Sequence, residues 1–249
     1  MHSKMLHHYI EGEGKTFVFL HGFLESSNMW KYLNINDLNA KKIFVDLPGH
    51  GKSNDHLPTS PSVYFMAEKV NEILLLNPED EFIVVGHSMG GYVALELAKF
   101  NPSISKVILL NSNFWNDSVE KQKDRDRVVE IVKVAKEKFI QEAIPNLFSN
   151  PDNHQNQINE IIQEAKTFSV EGIAFATKAM RDREDSTPWI KENFRKIHVI
   201  QGELDKTAPF DVMKENLPAN VGLSVIQNAG HMTHIEASGK VLEILSSFS

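Results

Sequence analysis

The stretch Phe-Ile-Val-Val-Gly-His-Ser-Met-Gly-Gly (residues 82–91) begins as an apolar run and ends in two glycines. Its first four residues have the length and composition of a buried parallel strand, and residues 90–98 have the composition of a helix. Between them, residues 86–90 match the pattern G-x-S-x-G. In such a turn the serine takes a strained backbone conformation, and the glycines remove side chains that would clash with strand and helix. The stretch therefore predicts a nucleophilic Ser88 above the edge of a sheet, with a plain glycine-serine turn as the alternative.

Strand-like and helix-like segments alternate on both sides of this stretch. Apolar runs of strand length occur at residues 6–10, 16–20, 42–46, 106–110, 196–200 and 223–226. Residues 61–76 have apolar side chains near helical spacing, and residues 235–248 are interpreted as a final helix. Alternation of this kind produces a mainly parallel sheet with helices on both faces, so the predicted fold class is α/β.

Residues 114–187 differ in character from the rest of the chain. Strand-like runs disappear, charge increases, and amphipathic helical stretches follow one another at residues 117–141, 155–168 and 170–181. We interpret residues 114–187 as a helical cap inserted into a sheet domain, whose two parts are residues 1–113 and 188–249. Apolar side chains of this segment either line a pocket beneath the cap or form its core: Trp115, Phe139, Ile144, Leu147, Phe148 and Phe175.

Composition and charge exclude several functions. The chain has 249 residues, a formal net charge of −7 and no cysteine. The negative charge argues against nucleic acid as a partner, and the lack of cysteine excludes disulfides, thiolate metal sites and a cysteine nucleophile. Residues 51–53 are not the end of a phosphate-binding loop, because Asp46 stands where that motif needs glycine. We expect no metal and no organic cofactor. Without an apolar run of signal-peptide or membrane-spanning length, we expect a cytoplasmic protein and no membrane partner.

Three loops that follow predicted strands carry Ser88, Asp205 and His231, in that order along the chain. The carboxyl ends of parallel strands meet at one edge of a sheet, so residues distant in sequence converge there. A serine hydroxyl needs an imidazole to take its proton, and a carboxylate must orient that imidazole and stabilise its charged form. The sequence therefore predicts a triad with Ser88 as nucleophile, His231 as base and Asp205 as acid.

Neighbouring residues offer alternatives for two of these roles. His234 competes with His231 as the base, but His231 directly follows Gly230 at the exit of a predicted strand. Glu203 and Asp211 compete with Asp205 as the acid, although Asp205 lies in the middle of its loop. His87 precedes Ser88 and is expected to point away from the site.

The motifs taken together resemble the α/β-hydrolase family with a helical cap, over essentially the whole chain. They are His21-Gly22-Phe23, the run Asp46-Leu47-Pro48-Gly49-His50-Gly51-Lys52-Ser53, the serine turn, Gly202-Glu203-Leu204-Asp205 and Gly230-His231. The resemblance implies the same triad and an oxyanion hole formed by the backbone N–H groups of Phe23 and Met89. One departure is the short N-terminus, where a single strand is predicted before Thr16 and the family usually has two.

The resemblance implies a serine hydrolase acting on a small carboxylic ester through an acyl-enzyme intermediate. Relatives with the same triad instead hydrolyse carbon–carbon bonds, eliminate pyruvate in menaquinone biosynthesis or act as cofactor-free perhydrolases. A non-enzymatic ligand-binding protein is the remaining alternative.

The charged runs at residues 124–127 and 181–185 are interpreted as solvated helix faces and ends. The alternative is a substrate-binding arginine among them, and for carboxylated substrates Arg181 and Arg183 are the candidates.

Overall fold

Seven strands form one sheet in the order β1-β3-β2-β4-β5-β6-β7 in the computed structural model, which describes residues 5–55, 57–58, 60–78 and 80–249. Only β1 runs antiparallel to its neighbour, and the other adjacent pairs are parallel. The strands are β1 His8–Glu11, β2 Thr16–Leu20, β3 Lys41–Val45, β4 Phe82–His87, β5 Ile104–Leu110, β6 Ile197–Gly202 and β7 Gly222–Ile226. The predicted α/β class is confirmed, and β1 is the one strand that the described residues contain before Thr16.

Nine α-helices occur within the same described ranges. They are α1 Val63–Leu74, α2 Met89–Phe100, α3 Val119–Ala143, α4 Gln155–Lys166, α5 Val170–Arg181, α6 Thr187–Glu192, α7 Phe210–Asn216, α8 Thr233–Glu236 and α9 Ser238–Ser246. The C-terminal segment predicted as one helix is two, because Ala237 between α8 and α9 has non-helical backbone angles (φ −145°, ψ 43°). A similar break at Ala135 (φ −145°, ψ 41°) kinks α3.

Strand β4 lies at the centre of the sheet and is buried along its whole length. Successive side chains of a strand point to opposite faces, so its apolar residues enter two different cores. Phe82 and Val84 pack with α1 and α2 on one face. Ile83 and Val85 pack with the 3-10 helix Ser27–Leu33 and with α9 on the other. The central strand is thus covered on both faces, as its uninterrupted apolar run indicates.

Helices α3 to α6 occupy the chain between β5 and β6. Ser118 caps α3 by accepting a hydrogen bond from the Lys121 amide, and Ser169 caps α5 by accepting from the Gly172 amide. A third apolar cluster joins α3, α4 and α5 to Leu24, which follows β2, and to Met232, which follows β7. These helices therefore pack against loops at the carboxyl ends of the strands, where the predicted triad residues lie.

Candidate active site

The turn between β4 and α2 holds Ser88 in a backbone conformation that side chains rarely adopt, with φ 48° and ψ −114°. Glycines make this turn sterically feasible. A Cβ atom on Gly86 would lie 2.3 Å from the carbonyl oxygen of Gly90, and one on Gly90 would lie 2.3 Å from that of Leu20. The strand, the turn and the helix thus have the geometry that G-x-S-x-G predicts.

His231 contacts both Ser88 and Asp205. Its Nε2 lies 2.9 Å from Ser88 Oγ, and its Nδ1 lies 2.8 Å from Asp205 Oδ2. The loops after β4, β6 and β7 supply these three side chains. With Nδ1–H donating to the carboxylate, Nε2 has a lone pair directed at the serine hydroxyl. The arrangement is chemically able to remove the proton from Ser88.

Asp205 is held by groups other than His231. Its Oδ2 accepts hydrogen bonds from Asn111 Nδ2 (2.9 Å) and Gln201 Nε2 (3.0 Å). Its Oδ1 accepts from the backbone amides of Thr207 and Ala208, at 2.8 and 3.0 Å. Neither Asn111 nor Gln201 is among the site residues predicted from the sequence. They could have been predicted from their positions at the carboxyl ends of β5 and β6, beside the predicted acid.

These contacts decide the charge of Asp205. Burial alone would raise its pKa, but His231 and the hydrogen bonds from the Ala208 amide and Asn111 together lower the pKa below its usual value. The carboxylate is therefore ionised near neutral pH and is available to stabilise a protonated His231.

The two amides predicted to form an oxyanion hole belong to Phe23, in the loop after β2, and to Met89, which directly follows Ser88. Met89 is the first residue of α2, so its N–H has no partner within the helix. Phe23 follows Gly22, whose own amide donates to Glu25 Oε2 at 2.8 Å. Neither the Phe23 nor the Met89 amide donates to another residue in the described part of the chain. Both are available to an oxyanion on the substrate.

A buried cluster of Glu25, His87 and His234 lies directly behind the triad. His87 Nδ1 is 2.8 Å from Glu25 Oε2, and His87 Nε2 is 3.0 Å from the backbone oxygen of His231. His234 Nε2 is 3.7 Å from Glu25 Oε1, and its ring packs 4.7 Å from that of His87. The cluster connects the Gly22–Phe23 loop to His231. The ring of His87, which was expected to point away from the site, contacts the backbone of His231. Glu25 is not among the site residues predicted from the sequence.

Both nitrogens of His87 face acceptors, one a carboxylate and the other a carbonyl, and this arrangement favours the doubly protonated ring. Burial would lower the pKa of His87, but the Glu25 carboxylate outweighs it and raises the pKa above its ordinary value. Burial opposes ionisation of Glu25 as well, yet His87 lowers the pKa of Glu25 to about 2. Burial, with His87 adding to its effect, lowers the pKa of His234 to about 3. The cluster is thus a buried ion pair beside a neutral histidine.

A cavity of about 260 Å³ opens above Ser88 and His231. One part of its wall comes from the loop after β2, and another comes from α3 and the residues that follow it. Among the apolar side chains expected to line a pocket, Phe139 and Leu147 do so, whereas Ile144 and Phe148 are buried in the core formed by α3, α4 and α5. The charged groups on the wall are the Glu25–His87 pair, Asp117, Lys121 and Arg125.

The two arginines singled out from the sequence do not line this cavity. Arg181 pairs with Asp126 and Asp182. Arg183 is buried, donates to Asp117 Oδ1 at 2.7 Å, and lies 4.2 Å from the centre of the Tyr92 ring. The 181–185 run is therefore not simply a solvated helix end, because Arg183 is part of a buried ion pair.

The alternative triad residues lie elsewhere. His234 is buried beside Glu25, and no hydrogen bond joins it to Ser88. Glu203 is exposed and accepts a hydrogen bond from the Asn228 amide, and Asp211 is exposed on α7. Among the residues that the structure describes, no group of three histidine or acidic side chains is arranged to hold a metal ion. Across those same residues, no helix has the length and apolarity needed to cross a bilayer.

Comparison with known proteins agrees with this geometry. The family model described as "alpha/beta hydrolase fold" matches residues 15–238. The chain belongs to the alpha/beta hydrolase family. Its membership accounts for the order of the serine, acid and histidine loops along the chain, which is the order found in this fold.

Relatives in this family include esterases. The chain is 28% identical to a thermophilic esterase from Thermogutta terrifontis, solved with malate bound, with a TM-score of 0.89 over 98% of this chain and 92% of that one. It is 25% identical to MenH from S. aureus, with a TM-score of 0.85 and 98% coverage of each chain. It is also 26% identical to a pimeloyl-[acyl-carrier protein] methyl ester esterase from Pseudoalteromonas atlantica, over 90% of each chain. The chain is thus an alpha/beta hydrolase with esterase-like relatives.

Proposed function

We propose that this protein is a serine hydrolase that cleaves a small carboxylic ester, with Ser88 as nucleophile, His231 as base and Asp205 as acid. The observation that carries the proposal is the pair of hydrogen bonds that His231 forms: its Nε2 accepts from Ser88 at 2.9 Å, and its Nδ1 donates to Asp205 at 2.8 Å. They lie beside a cavity large enough for a small ester. The esterases from T. terrifontis and P. atlantica support the choice of an ester over other acyl substrates.

The reaction follows from these contacts. Ser88 Oγ attacks the ester carbonyl while its proton passes to His231 Nε2. Asp205 stabilises the resulting imidazolium, and His231 then gives the proton to the departing alcohol. The acyl group stays on Ser88 until water, deprotonated by the same imidazole, attacks it. The products are a carboxylic acid and an alcohol, and the enzyme recovers its starting protonation state.

The N–H groups of Phe23 and Met89 stabilise the negative oxygen of each tetrahedral intermediate in this proposal. The Met89 amide lies at the N-terminus of α2, where the helix dipole adds to the stabilisation. Losing one oxyanion-hole donor typically costs on the order of 10²–10³ in rate, so the loop conformation matters nearly as much as the triad. We also propose that residues 114–187 act as a cap, because this segment contributes a large part of the cavity wall.

Hydrolysis of p-nitrophenyl esters with acyl chains of about two to twelve carbons tests the proposal, because a pocket of limited depth favours one chain length. We expect activity that peaks at one length and disappears in Ser88→Ala. A fluorophosphonate probe should label the wild type and not the variant, since it reacts with activated serines. Labelling without ester hydrolysis would point to another reaction of the same nucleophile, such as carbon–carbon hydrolysis. Absence of both would contradict the proposal.

A further inference from the structure

Arg125 presents part of its guanidinium group to the cavity without a protein partner. Its Nε donates to Asp117 Oδ2 at 3.0 Å, and its side chain is 17% exposed. In the described part of the chain, no acceptor is bonded to its two terminal nitrogens. A guanidinium carries five N–H donors in a fixed plane, and its terminal pair matches the two oxygens of a carboxylate. Arg125 is thus a mostly buried cation with unused donors in a substrate cavity.

Lys121 lies one helical turn before Arg125 on α3 and also lines the cavity. Residues four apart lie on the same face of a helix, so the two cations are neighbours. The Lys121 side chain forms no ion pair with the residues that the structure describes, which leaves its ammonium group available. Some other cations of the same helix are paired with acidic residues. Arg127 pairs with Asp124, and Lys133 pairs with Glu130.

Each carboxylate of the cavity wall is paired with a cation other than Arg125 and Lys121. Glu25 is paired with His87, and Asp117 accepts from Arg183 on the oxygen that Arg125 does not use. These pairings leave the wall with an excess of positive charge in a protein whose formal net charge is −7. Such a local excess attracts an anionic group, and partial burial weakens the screening by salt.

We propose that the substrate is an ester that carries a second, negatively charged group, a carboxylate, which Arg125 binds with its terminal nitrogens and Lys121 helps to attract. This rests on the proposed function and specifies its substrate class as the monoester of a dicarboxylic acid. The carboxylate lies against α3 while the ester carbonyl lies at Ser88. Asp117 orients Arg125. Asp117 is in turn held by Arg183, whose guanidinium group lies over the Tyr92 ring.

The test compares monomethyl esters of succinic, glutaric and adipic acid with the matching methyl ester amides, which have the same shape and no charge. We expect at least one acid to exceed its amide by about tenfold or more in kcat/KM, since charge-assisted bidentate bonds are the strong ones. Arg125→Gln should remove most of that ratio, because kcat/KM for the acid falls toward that for the amide when the carboxylate loses its partner. Lys121→Gln, which changes an exposed side chain, should reduce the ratio by about threefold.

Arg127→Gln is the matched control, because Arg127 lies on the same helix but pairs with Asp124 outside the cavity wall. It should behave like the wild type.

A second experiment measures ligand binding and does not depend on turnover. The Ser88→Ala protein should bind the free dicarboxylate more tightly than the monoamide, and Arg125→Gln in that background should abolish the difference. Equal binding would overturn the inference.

Failure of this inference is distinguishable from failure of the proposed function. If p-nitrophenyl esters are hydrolysed in a Ser88-dependent way and the acids are no better than their amides, the protein is an esterase without the proposed carboxylate site. If no ester of either kind shows Ser88-dependent hydrolysis, both are overturned. Should Arg125→Gln fail to fold in a thermal melt, the Lys121→Gln ratio and the binding comparison still decide the question.

Discussion

At the scale of single residues, Glu25 has contacts that join the two halves of the proposed catalytic centre. One oxygen accepts from the Gly22 amide, next to Phe23, and from His87, which in turn donates to the His231 carbonyl. Glu25 touches no reacting atom in the proposed mechanism. It positions the Gly22–Phe23 loop, which carries one proposed oxyanion donor, and the backbone of His231, the proposed base.

Glu25→Gln should lower kcat by about tenfold with little change in KM, because a misplaced oxyanion donor weakens binding of the transition state more than that of the substrate. Steady-state kinetics with the best p-nitrophenyl ester measure the two constants separately. Glu164→Gln is the control, because Glu164 also contacts this loop, through Ser26 and Asn28, without reaching Gly22 or His87. An unchanged kcat in Glu25→Gln would show that the ion pair has no positioning role.

At the scale of elements, Glu236 at the end of α8 joins the loop that carries His231 to the segment after α3. Its Oε1 accepts from the Ser149 amide at 2.7 Å, and its Oε2 accepts from the Gly230 amide at 2.7 Å. The His231 amide also donates to the Leu147 carbonyl, at 2.9 Å. The position of the proposed base therefore depends on residues from the chain between β5 and β6.

Glu236→Ala should lower the free energy of unfolding by about 1–3 kcal/mol, because two backbone donors lose a charged acceptor. It should also reduce kcat, since the His231 loop loses one of its contacts. Urea denaturation and ester kinetics measure the two effects. Glu243→Ala removes an exposed glutamate of α9 that pairs with Lys240, and it should leave both quantities near those of the wild type. Wild-type kinetics in Glu236→Ala would show that the loop holds its position without this carboxylate.

At the scale of the whole molecule, buried histidines make stability depend on pH. Burial lowers the pKa of His50 and of His234 to about 3, whereas the unfolded chain binds these protons near pH 6.5. A histidine with a lowered pKa contributes stability that is fully present above pH 6.5 and is lost as the pH falls toward 3. Glu25, with its pKa lowered to about 2, adds a loss that begins below its ordinary value of 4.5. His87 acts in the opposite direction, because its pKa is raised.

The free energy of unfolding should therefore decrease as the pH is lowered from about 6.5 to 4, by up to about 1.4 kcal/mol per pH unit for each buried neutral histidine. His234→Phe should make this decrease shallower. The ring of His234 faces Glu25, His87 and Trp30, and neither of its nitrogens has a hydrogen-bond partner in the described structure. Urea denaturation at half-unit pH intervals measures the slope of the free energy of unfolding against pH. His154→Phe, which replaces a partly exposed histidine, is the control. Parallel slopes in the wild type and His234→Phe would contradict the assignment of a neutral buried histidine.

Local residue patterns were sufficient to predict the α/β class, the serine turn and the loops that hold Asp205 and His231. They were sufficient because each depends on short-range chemistry: apolar runs that form strands, glycines that permit a strained turn, and strand ends that meet at one edge. The structure brings Ser88, Asp205 and His231 within hydrogen-bond distance, and their catalytic roles remain part of the proposed function. The helical character of residues 117–141, 155–168 and 170–181 was also readable from amphipathic spacing.

Tertiary packing alone decided which charged side chains face the cavity. Arg125 and Arg183 both occur in charged runs that favour solvent, yet one lines the cavity and the other is buried against Asp117 and Tyr92. The partnership of Glu25 with His87 spans 62 positions, and that of Asn111 with Asp205 spans 94. Periodicity reports only the face of an element on which a residue lies. The residues that contact that face depend on how distant elements pack. For this reason, the charged side chains that line the cavity could be identified only from the folded protein.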